Sequence, residues 1–140
     1  MTRQSHSVVE TEAIAAELAR ELAGGECIAL VGDLGAGKTQ FARGIVMGLG
    51  GSARQVSSPT FVLLNVYDTP RMKVFHLDAY RVGGPEDFDA IGFCELLEQG
   101  GVVIVEWPER VADLLPARRI EVRIESTSRT RRNITIARLG

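Results

Sequence analysis

The sequence predicts an α/β fold in which helices flank a mixed sheet of parallel and antiparallel strands. Three observations predict it. A glycine-rich octapeptide, Gly32-Asp-Leu-Gly-Ala-Gly-Lys38-Thr39, lies between a strand pattern and a helix pattern. A continuous apolar run, Val102-Val-Ile-Val-Glu106, has the composition of a strand covered on both faces. Two pairs of alternating segments read as antiparallel hairpins, which a purely parallel sheet lacks.

Taken in chain order, residues 7–10 read as a short edge strand. Thr11 then caps a helix through Leu22, with Ile14, Leu18 and Leu22 at i, i+4 and i+8. Gly24 and Gly25 close that helix. Residues 27–31 form a buried central strand, and residues 39–49 a helix with Phe41, Ile45 and Leu49 on one face. The glycines at 48, 50 and 51 stop it, and residues 52–60 make a polar loop. Residues 61–68 and 73–78 are two strands joined by the turn Thr69-Pro-Arg-Met72. Residues 85–99 are helical with a break at Gly92. Residues 108–115 form a short helix with proline near its first turn. Residues 120–125 and 133–138 alternate and pair as the second hairpin.

A chain of 140 residues suits a single domain spanning 1–140. No apolar run approaches the ~18 residues needed to span a membrane, and the first residues carry no signal-peptide core. Cys27 falls in the buried strand and reads as a small hydrophobe, and Cys94 is the only other cysteine. These features predict a cytoplasmic protein. The net charge is −2 but unevenly spread: residues 1–117 sum to −7 and residues 118–140, with seven arginines, to +5. That balance argues against a bulk nucleic-acid or DNA binder. The basic end suits either a local anion or RNA contact, or strand faces in water.

The octapeptide has the phosphate-loop spacing Gly-x4-Gly-Lys-Thr, in the strand-loop-helix context that gives the pattern physical content. Glycines let backbone N–H groups turn inward around phosphate oxygens, and the helix N-terminus offers further donors to the same anion. Lys38 is placed to neutralise terminal phosphates, and the Thr39 hydroxyl to ligate Mg2+. The nucleotide-binding set by position is Asp33, Gly35, Ala36, Gly37, Lys38, Thr39 and Gln40. Asp33 either orients bound water or shapes the turn.

Magnesium takes oxygen ligands and keeps several waters, so one strand-end acid beside Thr39 and phosphate suffices. Glu106, which ends the cleanest apolar strand, is the favoured metal-associated acid; Asp78, ending the strand at 73–78, positions the attacking water or a metal-bound water. Which of the two is the closer ligand stays open. Ser57-Ser58-Pro59-Thr60 sits where a γ-phosphate sensor would lie, though its spacing favours a polar turn. Core packing is the default for Trp107, with a lid over the site as the alternative, and His76 reads as structural rather than catalytic.

Four segments form a set in order: Gly-Asp-Leu-Gly-Ala-Gly-Lys-Thr at 32–39, Ser-Pro-Thr-Phe at 58–61, His-Leu-Asp-Ala-Tyr-Arg at 76–81 and Val-Glu-Trp-Pro-Glu at 105–109. Together they resemble the TsaE family of small bacterial ATPases in tRNA threonylcarbamoyladenosine biosynthesis. The resemblance runs from about Thr11 to the C-terminus and implies a P-loop NTPase fold. It implies a cytoplasmic ATP hydrolase that uses ATP/ADP and Mg2+. It also implies work with the TsaB–TsaD heterodimer, which modifies adenosine 37 of tRNA, with tRNA met through that complex. By motif position Thr39 and Glu106 would be the Mg2+ ligands and Asp78 a further essential acid. Thr11 matches a family threonine near the nucleotide base, and Arg132 or its neighbour Arg131 a basic residue that contacts nucleotide.

Two other functions fit the same loop: a small-molecule kinase and a nucleotide-gated binding module. A kinase needs an arginine-bearing lid that excludes water. Between the two acids the only basic residue is Arg81, which counts against one.

Overall fold

The computed structural model describes residues 1–33, 35–57, 63–81 and 85–140, apart from the side chains of Arg81 and Pro85. Its sheet holds β1 (Thr2–Ser5), β2 (Cys27–Val31), β3 (Leu64–Tyr67), β4 (Val74–Asp78), β5 (Val102–Glu106), β6 (Arg119–Ser126) and β7 (Arg132–Leu139). The spatial order is β1-β7-β6-β2-β5-β4-β3. Strands β6, β2, β5 and β4 run parallel to one another, while β7, β1 and β3 add antiparallel edges. The expected mixed sheet and both hairpins are therefore present.

Side-chain alternation divides the sheet into two apolar faces. Ile28, Leu30, Val102, Ile104 and Val74 share a core with Ile14 and Leu18 of α1 (Val8–Ala19) and Phe41 and Ile45 of α2 (Lys38–Gly48). Cys27, Val103, Val105, Phe75 and Leu77 face the other way. They pack with Phe88 of α3 (Pro85–Ala90) and with Phe93 and Leu96 of α4 (Phe93–Leu97). The period of two then carries His76 and Asp78, after Val74, and Glu106, after Ile104, onto the face of α2. His76, Asp78 and Glu106 thus share the sheet face of the phosphate-loop helix because of alternation along their strands.

Helices α1 and α2 approach closely because α2 presents glycine to its partner. A Cβ on Gly44 would lie 2.4 Å from the Glu12 carbonyl oxygen, and one on Gly48 2.6 Å from that of Ala16. Burial pushes the Cys27 thiol up to about 12, against the opposing pull of Arg119. Cys27 and Cys94 are both free.

Several boundaries differ from expectation. Residues 8–10 are the first turn of α1, not an edge strand. Ser7 rather than Thr11 is the cap, its hydroxyl accepting from the Glu10 N–H at 3.1 Å. The N-terminal edge strand is instead β1, a polar tetrapeptide held by β7. Gly24 and Gly25 lie beyond the helix and let the chain pass Gly100 and Gly101: a Cβ on Gly24 would lie 2.4 Å from the Gly100 oxygen, and the Gly25 N–H reaches the Gly101 carbonyl at 2.7 Å. The segment Pro108–Leu114 is 3-10 rather than α, with a break at Val111. The central strand is β2, as expected, with β5 its neighbour. Residues 58–62, with the Ser58-Pro59-Thr60 expectation, lie outside the described residues.

Candidate phosphate and metal site

The C-terminal ends of the parallel strands open at one edge of the sheet, the place where α/β sheets bind ligands. There β2 delivers the glycine loop, β4 ends in Asp78 and β5 in Glu106, with Asp78 and Glu106 directly paired in register. The loop enters α2 through Gly37 at φ +114, a left-handed conformation that glycine adopts without strain. Among the described residues no side chain caps that helix end, which leaves its first N–H groups to an anion.

Lys38 opens α2 and is 5% exposed. Its Nζ has no hydrogen-bond partner among the described residues. The ammonium lies 4.0 Å from Glu106 Oε1 and 3.6 Å from the centroid of the Trp107 ring. Burial pulls Lys38 below the ordinary lysine range, opposed by the charges of Glu106, Glu109, Asp78 and Asp33. A buried cation that lacks an acceptor is costly unless some ligand supplies one. Anionic phosphate oxygens answer that need.

Trp107 is the one non-glycine residue with positive φ among the described residues, at φ 57 and ψ 50. Its left-handed backbone departs from the extended course of β5, while the ring takes Lys38 on its face and Tyr80 at 5.2 Å. Arg110 in turn stands over Tyr80 at 4.9 Å. Of the two sequence readings, the ring is thus placed at the site rather than in the core.

Glu106 is 5% exposed, and Asp78 8%. Asp78 Oδ1 accepts the Tyr80 N–H at 2.9 Å. Glu106 Oε2 is held by His76 Nε2 at 2.5 Å, and His76 Nδ1 faces the Tyr67 hydroxyl at 2.9 Å. His76 and Tyr67 are residues that sequence reasoning did not place at the site. Alternation could put His76 on the α2 face, but only the β4–β5 register puts it against Glu106.

Thr39 is the second residue of α2 and half-buried. Among the described residues no three His, Cys, Asp or Glu side chains gather as an all-protein metal centre. A cation here would draw on Thr39, one carboxylate, phosphate and water, the oxygen-rich, partly hydrated set that suits magnesium. The unpartnered Lys38 and the paired acids fit a magnesium-bound phosphate.

A second group of expected residues meets at a small cleft of about 100 Å³, lined by Thr11, Gly35, Ala36, Gly37, Gln40 and Arg132. Thr11 is buried, its hydroxyl 2.7 Å from that of Ser5. Arg132 rather than Arg131 lines the cleft. Its Nε donates to the Ala36 carbonyl at 2.8 Å and its Nη1 to the Ser128 and Arg131 carbonyls at 3.0 and 2.9 Å. In this state Arg132 braces the phosphate loop from behind. Asp33, by contrast, lines a separate opening with Trp107, Glu109 and Arg123.

The model of the family described as "Threonylcarbamoyl adenosine biosynthesis protein TsaE" matches residues 5–134. The chain belongs to the TsaE family. TsaE of Rickettsia prowazekii is 37% identical over 131 residues, covering 94% of this chain and 90% of its own. TsaE of Treponema pallidum is 38% identical over 133 residues, covering 95% and 97%. The crystal structure of YdiB from Bacillus subtilis superposes with a TM-score of 0.83 at 30% identity, over 100% of this chain and 86% of that one. TsaE membership places the chain in tRNA threonylcarbamoyladenosine biosynthesis and agrees with the phosphate-loop α/β fold. Among the described residues no helix is long and apolar enough to cross a membrane.

Proposed function

We propose that this chain is a single-domain, magnesium-dependent ATPase of the cytoplasm that drives the TsaB–TsaD complex in modifying adenosine 37 of tRNA. The observation that carries the reading is the buried Lys38 ammonium, beside Glu106 at the mouth of the glycine loop and without a hydrogen-bond partner among the described residues. Family membership supplies the pathway.

The site's chemistry follows from its parts. Phosphoryl transfer asks for held phosphates, neutralised charge and an aligned nucleophile. Loop and helix N–H groups take the phosphate oxygens, and Lys38 leaves the Trp107 face to join them. Thr39 and Glu106 would hold magnesium, which neutralises charge on the phosphate oxygens when bound. Asp78 orients the attacking water. Thr11, Gln40 and Arg132 border the nucleoside end, where Arg132 also keeps the loop in shape. Contacts to TsaB, TsaD and tRNA then couple turnover to the modification.

Trp107 is the only tryptophan in the chain, which makes it a probe of this site. Titrating the protein with ATP and magnesium should give a saturable change in Trp107 emission as Lys38 moves off the ring, with a matching heat in calorimetry. Chelating the metal should weaken binding. A protein that shows neither signal at millimolar Mg·ATP is not the nucleotide-binding ATPase described here.

A further inference from the structure

Glu106 is fixed by a buried chain of side chains that the phosphate chemistry does not itself require. His76 is 0% exposed and Tyr67 2%. His76 Nε2 meets Glu106 Oε2 at 2.5 Å, and Tyr67 Oη meets His76 Nδ1 at 2.9 Å. The same hydroxyl reaches the Ser57 carbonyl, also at 2.9 Å. With Oε2 held in this way, the remaining oxygen, Oε1, is the one facing Lys38 at 4.0 Å.

A carboxylate only accepts hydrogen bonds, so the ring must donate from Nε2. The other ring nitrogen, Nδ1, faces the Tyr67 hydroxyl at 2.9 Å. That hydroxyl also donates to the Ser57 carbonyl at 2.9 Å. Tyr67 therefore ties the orientation of the His76 ring to the backbone at Ser57.

We propose that His76, backed by Tyr67, is a positioning residue that turns Glu106 Oε1 toward the cation and phosphate side of the site. Reading Oε1 as the metal-facing atom rests on the magnesium assignment above. Groups that orient a metal-binding carboxylate change metal affinity by roughly 10–100-fold when removed. A residue that only fills the core leaves that affinity alone.

The test is Mn2+ binding, followed by electron paramagnetic resonance, to the protein saturated with ADP. Wild type is compared with Glu106→Gln, His76→Leu, His76→Gln and Tyr67→Phe. Glutamine is the conservative replacement, because its amide N–H can stand where Nε2 stood. The Mn2+ needed for half-saturation should rise about 10–100-fold in His76→Leu. It should stay within about threefold of wild type in His76→Gln and rise a few-fold in Tyr67→Phe. Affinity for metal-free ADP should be unchanged in the His76 and Tyr67 variants. Wild-type Mn2+ binding in His76→Leu, or equal losses in His76→Leu and His76→Gln, would overturn the proposal while leaving the metal assignment intact. If His76→Leu does not fold, Tyr67→Phe decides, and an unchanged midpoint there counts against the proposal. Wild-type Mn2+ binding in Glu106→Gln would instead remove the metal assignment itself.

Discussion

Lys38→Ala should lose at least about 100-fold in affinity for ATP, because a desolvated ammonium gives phosphate oxygens about 3 kcal/mol in charge-assisted hydrogen bonds. The same position predicts an opposite effect on stability. Lys38 is almost fully buried, and its Nζ has no hydrogen-bond partner among the described residues. Burial lowers its pKa, and the nearby carboxylates only partly restore it. A lysine whose folded pKa lies below its unfolded value costs stability wherever it is charged. Lys38→Met should therefore stabilise the nucleotide-free protein at neutral pH by about 1 kcal/mol, a rise of a few degrees in Tm. The gain should fade toward pH ~10.4, where lysine in the unfolded chain also gives up its proton. Thermal melts of both proteins at pH 7 and near pH 10, beside ATP titrations, check the two halves together. A Lys38→Met protein that still binds ATP like wild type would mean that the ammonium serves the apo fold rather than the ligand.

Asp78→Asn should separate binding from chemistry. Asp78 pairs in register with Glu106, and its Oδ1 already accepts the Tyr80 N–H. Asparagine keeps that acceptor and so keeps the turn, but removes the charge to which the proposed function assigns the orientation of water. Nucleotide affinity should stay within a few-fold, while partner-stimulated ATP turnover falls about 100-fold or more, the usual loss when a general base is removed. Calorimetry and steady-state phosphate release measure the two quantities. A large fall in Mg·ATP affinity with the fold intact would make Asp78 a direct metal ligand and leave water activation to another group.

The central elements were legible because their signals are local. A run such as Cys27–Val31 followed by a glycine loop and an amphipathic helix carries its own context, and both hairpins follow from alternation and a turn. The acids at 78 and 106 could be found because each ends a strand. What was missed depends on long-range pairing. β1 has the sequence Thr-Arg-Gln-Ser, with no apolar residue, and it exists only because β7 offers an edge. Ser7 and Thr11 are both hydroxyl residues able to cap a helix, and sequence alone selected the wrong one. The contact of His76 with Glu106 spans 30 residues and depends on the β4–β5 register. Trp107 follows a buried strand and so reads as core, whereas its left-handed backbone takes the chain out of the strand. The Ala36 carbonyl that Arg132 holds lies 96 residues away, in a loop whose carbonyls no periodicity reveals.

The central claim is that nucleotide turnover at this site keeps the tRNA-modifying complex cycling. The measurement that tests it most directly is product per complex in a reconstitution of TsaB, TsaD, tRNA, threonylcarbamoyl-adenylate and ATP. Many turnovers should occur with this protein present, about one or fewer without it, and no recovery when Lys38→Ala or Asp78→Asn is added instead. Sustained turnover in its absence, or full rescue by Lys38→Ala, would contradict the account.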